Sequence, residues 1–170
     1  AEGTEGEAQT GIPTPERYRK EELLGEGGMG QVWRAYDKQL ERQVAIKQVN
    51  EHCAPGTMAY QSLKDEVQKS LELTHPNITR IYDLVDVSGE SPFISMEYLE
   101  GEDLLVKIQQ QEGGHFSWDE IEPYILSLCD ALEYAHGQGM VHRDLKPANL
   151  IITDLGELKL TDMGIAEPAK

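Results

Sequence analysis

Residues 141–150 read Val-His-Arg-Asp-Leu-Lys-Pro-Ala-Asn-Leu, and residues 162–164 read Asp-Met-Gly. The segment between these stretches contains two β-prone runs joined by a turn with an Asp and a Gly. This pattern is typical of a β-hairpin. The sequence therefore predicts a hairpin whose open end carries the side chains of Asn149 and Asp162.

The predicted register of this hairpin depends on its turn, which we take as the four residues 154–157. Such a turn places residue 153 opposite residue 158. The same register places Asn149 opposite Asp162, with Cβ atoms roughly 5 Å apart. Two hard oxygen donors at this separation suit Mg²⁺, which uses few protein ligands. Taken alone, two polar residues at a hairpin end are more simply explained as a solvated surface.

The pattern His-Arg-Asp-Leu-x-x-x-Asn, followed by Asp-x-Gly, is a signature of protein kinases. On these motifs, residues 18–166 resemble a bacterial-type (Hanks-type) serine/threonine protein kinase truncated just after the metal-binding motif. The resemblance implies ATP-dependent transfer of a phosphoryl group to Ser/Thr hydroxyls of a protein, with Mg²⁺ held by Asn149 and Asp162. Asp144 would accept or orient the hydroxyl proton, and Lys146 would neutralise charge on the transferred group.

Lys47 is the candidate phosphate-binding cation of the N-terminal half. Strand alternation places its side chain on the same face as Ala45, toward the expected cleft. A buried lysine needs a carboxylate partner. Glu66 lies on the core-facing edge of a helix predicted over 61–73, whereas Asp65 points toward solvent. The resemblance makes the same assignment, with Lys47 holding the α- and β-phosphates and Glu66 orienting it.

A glycine-rich run precedes this lysine, and the strand-like residues 32–36 follow it. In dinucleotide-binding folds a helix follows such a run instead, and a Gly-Lys-Ser/Thr phosphate loop is absent from this chain. The pattern favours a kinase-type flap over the phosphates, and a simple glycine-rich hairpin is the alternative. The glycines of the flap are Gly25, Gly27, Gly28 and Gly30.

The resemblance also implies an adenine and ribose site. Its members are Met96 behind the pocket, Glu97 and Leu99 as backbone contacts in the hinge, Val32 and Ala45 as roof, Ile151 as floor and Asp103 at the ribose. The apolar members are equally explained as ordinary core residues. Their place in a nucleotide site therefore depends on the resemblance alone.

The hydrophobic pattern predicts an α+β chain with a protein-kinase-like two-lobe fold. We expect a disordered acidic leader over 1–15, a small lobe of five antiparallel strands and one helix over 16–98, a hinge over 99–101, and an incomplete, mainly helical large lobe over 102–170. The large lobe should contain a helix capped by Ser117, although its Pro123 can start or kink it. The buried stripe of this helix should be Ile121, Ile125, Leu128, Leu132 and Ala135.

Composition limits the partners. The chain has 170 residues, 31 acidic against 15 basic side chains and a net charge of −16, which argues against nucleic acid as a partner. No apolar run reaches the length of a membrane span. Cys53 and Cys129 have no metal-type spacing and are too few for a disulfide framework. A cytoplasmic location is the simplest expectation.

Three functions remain open at this point. The chain is a Ser/Thr kinase or its catalytic fragment, a nucleotide-binding pseudokinase that regulates a partner protein, or a non-catalytic assembly module. Met163, in place of the usual Phe, favours the second because Met is a more flexible filler, whereas the intact set of site residues disfavours it: Lys47, Glu66, Asp144, Asn149 and Asp162. We also expect part of the stripe on the helix after Ser117 to be exposed, so that the chain either forms a homo-oligomer through its large lobe or binds a partner there.

Overall fold

The computed structural model describes residues 14–27, 30–49, 53–87 and 90–163, and its elements fall into two groups. The first group, the small lobe, contains α1 (Thr14–Arg17), β1 (Tyr18–Gly27), β2 (Gly30–Asp37), β3 (Arg42–Val49), α2 (Met58–Leu71), β4 (Ile81–Val85) and β5 (Phe93–Glu97). The second group, the large lobe, contains β6 (Gly101–Asp103), α3 (Leu104–Gln110), α4 (Trp118–Gly137), β7 (Leu150–Thr153) and β8 (Leu158–Leu160). This order confirms the predicted α+β class.

The small-lobe sheet is antiparallel, with strand order β1-β2-β3-β5-β4. β3 is central, so residues 44–47 are buried, whereas β1 at the edge is largely exposed. A cluster between this sheet and α2 consists of Ala45, Val67, Ile81, Ile94 and Met96. Burial is worth about 1.5–3 kcal/mol for each large aliphatic side chain. This cluster therefore holds α2 on the sheet.

α2 begins and ends earlier than the 61–73 prediction. Thr57 caps its N-terminus, with Oγ1 accepting from the backbone N–H of Tyr60 at 3.1 Å. Val67 and Ser70 are buried, but Leu71, the last residue of the helix, is 40% exposed. Leu73, just beyond the end, is buried instead.

The segment after α2 joins the two lobes. Leu73 and Ile78 belong to the large-lobe core rather than to the small lobe. Asn77 bonds β8 at two points, since its Nδ2 donates to the Leu158 carbonyl at 2.9 Å and its own carbonyl accepts from the Leu160 N–H at 2.8 Å. The C-terminal end of α2 is thereby anchored to the β7–β8 hairpin.

The acidic leader is ordered at its C-terminal end. Residues 1–13 lie outside the described residues, but Thr14 and Pro15 belong to α1, so the prediction of disorder is wrong for them. Arg17 explains the order, because its Nε and one terminal nitrogen bond the two oxygens of Asp37 at 2.9 and 2.7 Å. The Asp37 side chain has no solvent exposure, and a buried carboxylate requires such a partner.

The last residue of the predicted hinge, 99–101, belongs to a strand. Gly101 begins β6, which pairs with β7 and places Gly101 opposite Thr153. A Cβ atom at Gly101 would collide with the Ile152 carbonyl oxygen. The close approach of two backbones, rather than a flexible linker, therefore requires the glycine here.

α4 follows the predicted cap but not the whole predicted stripe. The backbone N–H and the hydroxyl of Ser117 both donate to Glu120 Oε2, at 2.9 and 2.6 Å. Pro123 lies inside the helix, so the alternative start at that residue is wrong. Of the predicted stripe, Ile125 is 37% exposed and Tyr124 packs on the core in its place, so the stripe is buried only in part. Neither α4 nor another helix of the described ranges is long and apolar enough to cross a membrane.

The β7–β8 hairpin is present, but its predicted register is wrong by one residue. Thr153 bonds Glu157 rather than residue 158, with its N–H donating to the Glu157 carbonyl at 2.9 Å. The turn therefore has three residues, 154–156, and Gly156 adopts a φ of 80°, as the third residue of such a turn commonly does. Asn149 consequently lies opposite Thr161, whose N–H donates to its carbonyl at 2.9 Å, and not opposite Asp162.

Candidate active site

The catalytic-loop segment crosses from α4 to β7 and is held by the buried ring of His142. Its Nε2 donates to the Thr161 carbonyl at 2.7 Å, and its Nδ1 accepts from the Asp144 N–H at 3.1 Å. These partners require the tautomer that carries its proton on Nε2. His142 is 2% exposed, so it acts here as a structural residue that fixes the backbone of Asp144.

One oxygen of the Asp144 carboxylate, Oδ2, contacts both a lysine ammonium and an amide nitrogen. Lys146 Nζ lies 3.2 Å from Oδ2, and Asn149 Nδ2 lies 3.3 Å from the same atom. The hydrogen bond from Lys146 is the main cause that lowers the pKa of Asp144, and the slight burial of the carboxyl opposes it. The carboxylate is therefore ionised at neutral pH and half-exposed, as a group that accepts a substrate proton must be.

Asn149 is buried, at 7% exposed, in a short 3₁₀ turn that begins at Pro147. Its Nδ2 donates to the Asp144 carbonyl at 2.8 Å. Because the amide nitrogen is occupied by this bond, the amide oxygen is the atom left to bind a ligand. Asn149 therefore stays a predicted metal ligand, although the register argument that led to it was wrong.

Lys47 and Glu66 do not pair in this structure, and the predicted ion pair is wrong for this conformation. Lys47 Nζ bonds Asp162 Oδ1 at 2.9 Å. Glu66 Oε1 instead lies 3.4 Å from a terminal nitrogen of Arg143. Glu66 does face inward while Asp65 is exposed, so the helix face was predicted correctly. The partner exchange occurs because Asp162 and Arg143 both reach the small lobe from the large lobe.

Two residues of the site have left-handed backbones without being glycine. Arg143 has a φ of 70° and Asp162 a φ of 57°. Such conformations are uncommon for non-glycine residues and concentrate at functional sites. Both side chains contact the small lobe, so these two backbone positions direct charged groups across the cleft.

The glycine run forms a hairpin between β1 and β2, with Gly27 opposite Gly30, and Gly28 lies outside the described residues. Gly30 has a φ of 121°, and a Cβ atom there would collide with the Gln48 carbonyl. Gly25 has no atom within 4 Å of an added Cβ. Gly30 is thus required by the fold, whereas Gly25 leaves its space open. A strand follows the run, which supports the kinase-type flap.

The predicted adenine pocket is brought together only in part. Ala45 pairs with Met96 across β3 and β5, and both are 7% exposed. Val32 lies opposite Lys47 on the neighbouring strand. The Glu97 side chain bonds the Arg80 N–H and lies 3.4 Å from Lys159. Its backbone N–H donates to the Arg80 carbonyl at 2.8 Å, so neither the side chain nor this N–H is left for adenine.

The remaining contacts of this pocket lie near the start of the large lobe. Asp103 pairs with Ile151, which places the proposed ribose contact beside the proposed floor. Asp103 also caps α3, because its Oδ1 accepts from the Val106 N–H at 2.9 Å. Leu99 lies between the lobes, after β5 and before β6.

The residues present fit a magnesium ion better than a transition metal. Within the described residues, no three His, Cys, Asp or Glu side chains are grouped to hold a metal. Mg²⁺ needs only one or two protein oxygens, because waters and substrate phosphates fill its other positions. Asn149 Oδ1 and the partly exposed Asp162 carboxylate are oxygen donors of this kind.

Sequence reasoning missed one buried contact of this site. The Ser70 hydroxyl of α2 lies 2.9 Å from the Met163 carbonyl, next to Asp162. The available signal was a serine on the buried face of a helix. Met163 itself is 3% exposed in the large-lobe core.

Comparison with known proteins agrees with this geometry. A family profile described as the protein kinase domain matches residues 18–170, and the chain belongs to the protein kinase family. The serine/threonine-protein kinase PknA of Mycobacterium tuberculosis is 33% identical over 163 residues, which cover 94% of this chain and 37% of that protein. The probable serine/threonine-protein kinase PknB of Corynebacterium glutamicum is 36% identical over 154 residues, covering 89% of this chain and 24% of PknB.

A solved structure supports the fold directly. The kinase domain of Mycobacterium tuberculosis PknI superposes with a TM-score of 0.78 at 26% identity, covering 89% of this chain and 61% of the other. The chain spans between about a quarter and a third of the curated relatives named above. The family profile thus confirms the predicted membership in the protein kinase family, and the relatives named above are bacterial serine/threonine kinases.

Proposed function

We propose that this chain transfers the γ-phosphoryl group of ATP to Ser/Thr hydroxyls of a protein substrate. The proposal depends most on the Asp144 carboxylate, because Lys146 and Asn149 both contact its Oδ2. Lys47 of the small lobe bonds Asp162 of the large lobe. Groups from both lobes thus converge on one cleft. Relatives named as serine/threonine kinases support this substrate class.

In this proposal each side chain has one task. Asp144 accepts or orients the proton of the incoming hydroxyl. Lys146, already beside Asp144, neutralises charge on the phosphoryl group in transit. Lys47 holds the α- and β-phosphates, and Glu66 orients it once it is released from Arg143.

Asn149 and Asp162 would hold Mg²⁺, which neutralises the phosphate oxygens of ATP when bound. The glycine flap would cover the phosphates with backbone N–H groups. Adenine would lie between Val32, Ala45 and Ile151, with Met96 behind it. We also retain as proposals the hinge contacts of Glu97 and Leu99, the ribose contact of Asp103 and the domain bounds 16–98, 99–101 and 102–170.

The test is transfer of radiolabelled phosphate from ATP to a generic protein substrate, with and without Asp144→Asn. Loss of a positioned base should lower the transfer rate by about 10²–10⁴-fold. Asp154→Asn is the matched control, because Asp154 is an exposed carboxylate in the β7–β8 turn and should leave the rate unchanged. Equal rates in all three proteins would refute the assignment of Asp144.

A second candidate, a nucleotide-binding pseudokinase that regulates a partner protein, is favoured by the Glu66–Arg143 pair. That pair leaves Lys47 without the glutamate that should orient it. Thermal unfolding separates the candidates from an assembly module, since a nucleotide that binds only the folded state raises the melting temperature. A rise with Mg²⁺-ATP that Lys47→Ala weakens, without phosphate transfer, would favour the pseudokinase.

The remaining partner assignments are also proposals. The excess of acidic over basic side chains supports the absence of nucleic-acid binding. The two unpaired cysteines support a cytoplasmic location. Exposed apolar side chains of α4, including Trp118 and Leu126, support association of the chain with a second copy through the large lobe.

A further inference from the structure

A buried serine of α2 contacts the metal-binding motif. Ser70 is 3% exposed and lies one helical turn after Glu66. Its Oγ is 2.9 Å from the Met163 carbonyl oxygen and 3.0 Å from the Glu66 carbonyl oxygen. Met163 directly follows Asp162, so one hydroxyl joins the helix that carries Glu66 to the peptide that follows the proposed Mg²⁺ ligand.

The bond to Met163 is not needed to satisfy the serine. A helical serine can bond the carbonyl four residues earlier, and the Glu66 carbonyl is available for this at 3.0 Å. The hydroxyl has a single hydrogen, so it donates either to one of the two carbonyls at a time or to both in a bifurcated bond. The group that depends on the contact is therefore the carbonyl of Met163, because the hydrogen bond to Ser70 is buried.

Helix packing alone also does not explain a hydroxyl at this position. The neighbouring buried residue on the same helix face is Val67, and Ala or another apolar residue at 70 would bury less polar surface. Ser is also a poorer helix former than Ala in a helix interior. The polar contact with Met163 is the interaction that an apolar residue could not replace.

We propose that Ser70 is a positioning residue for phosphoryl transfer, acting through the Asp162–Met163 peptide. Its hydroxyl holds this peptide against α2 and thereby sets where the Asp162 carboxylate stands relative to Lys47. The inference rests on the proposed function, since it assumes that Asp162 binds Mg²⁺ with the nucleotide. Without the hydroxyl, the metal-binding motif loses its bond to the helix. Part of the free energy of Mg²⁺ binding is then used to order Asp162, so Mg²⁺ binds more weakly.

The experiment measures how much Mg²⁺ is needed for half-maximal binding of a non-hydrolysable ATP analogue, by titration calorimetry. Ser70→Ala should raise this Mg²⁺ concentration by about tenfold, the factor that one ordinary buried hydrogen bond represents in an equilibrium. Ser70→Thr keeps the hydroxyl and should stay within about threefold of wild type, a margin for the added methyl group. Ser62→Ala, on the exposed face of the same helix, is the matched control and should change nothing.

Each outcome decides the inference. An unchanged Mg²⁺ requirement in Ser70→Ala would overturn it, and equal increases in Ser70→Ala and Ser70→Thr would show that packing alone is involved. If Ser70→Ala does not fold, Ser70→Cys replaces it, because a thiol is a weaker donor of similar shape, and an unchanged requirement there would also overturn the inference.

Phosphate transfer by the wild type is measured in parallel. Analogue binding with the expected Mg²⁺ shift but no transfer would refute the proposed function and leave the role of Ser70 supported. Absence of analogue binding at every Mg²⁺ concentration would overturn both.

Discussion

The carboxylate of Asp144 lies between Lys146 and Asn149, and this arrangement determines its protonation. The hydrogen bond from Lys146 is the largest cause that lowers the pKa of Asp144, and desolvation opposes it, while the charge of Lys146 and the hydrogen bond from Asn149 add to the lowering. A lowered pKa means that the carboxylate stays ionised through its ordinary titration range and is protonated only as the pH falls through the lowered value. The base is therefore ready to act throughout the neutral range.

Lys146→Met should remove the main cause of this shift, so the pKa of Asp144 should rise toward its ordinary value. The acid limb of the profile of kcat/KM against pH reports the free enzyme's base and should move to higher pH. The absolute rate will also fall, so the position of the limb, and not its height, is the readout. Lys64→Met, an exposed lysine of α2, is the control. An acid limb at the same pH in both variants would contradict the role of Lys146.

Among the elements, the hairpin formed by β1 and β2 contains two glycines that differ in how much room their surroundings leave for a side chain. Gly30 has a φ of 121° and faces the Gln48 carbonyl, whereas the space around Gly25 is empty. Both glycines belong to the same sequence pattern, and the pattern does not distinguish them. The difference arises because Gly30 pairs with Val49 of β3, a contact that only the assembled sheet provides.

Gly30→Ala should therefore destabilise the fold, by about 1–3 kcal/mol for the backbone conformation alone and more for the collision with Gln48. Gly25→Ala should change the free energy of unfolding by less than about 0.5 kcal/mol, as at other open surface positions. Urea denaturation of both variants measures the two values. Similar losses at both positions would show that the glycine run does not have the geometry described here. A loss of ATP affinity in the stable Gly25→Ala protein would report on nucleotide contact.

For the whole molecule, the exposed apolar side chains of α4 are the main unexplained surface. Trp118 is 62% exposed, Leu126 59% and Ile125 37%. Large contiguous apolar patches are seldom left bare by soluble monomers, whereas single exposed side chains are common. These three residues share one helix, which favours a patch.

We expect this chain to self-associate at micromolar concentration in sedimentation velocity, and Leu126→Glu to shift it toward monomer by placing a charge on the patch. Leu155→Glu is the control, because Leu155 is 88% exposed in the β7–β8 turn and lies away from α4. A wild-type chain that sediments as a monomer at all concentrations would contradict the patch. If Leu126→Glu and Leu155→Glu shift the chain toward monomer equally, the added negative charge, and not the loss of the patch, is the cause.

Local patterns in the sequence predicted most of the elements, and short motifs together with the family resemblance selected the candidate site residues. Ala45 and Lys47 lie together on β3, as predicted, and α4 begins after Ser117 with the predicted cap. Glu66 faces inward and Asp65 outward, as helical spacing requires. These features depend on interactions between residues close in the chain, whose geometry is nearly constant among proteins.

Only the tertiary structure decided the partners of charged and polar groups. Lys47 bonds Asp162 rather than Glu66, Glu66 bonds Arg143, and Ser70 reaches Met163. Several long side chains of opposite charge meet in the cleft, and spacing in the sequence does not rank pairs that lie far apart along the chain. The hairpin register was also predicted wrongly, because a three-residue turn and a four-residue turn both fit these residues, and the sequence does not show that Gly156 adopts the φ of 80° found in the three-residue turn. Short-range patterning thus determined which residues form the cleft, while long-range packing determined which of them touch.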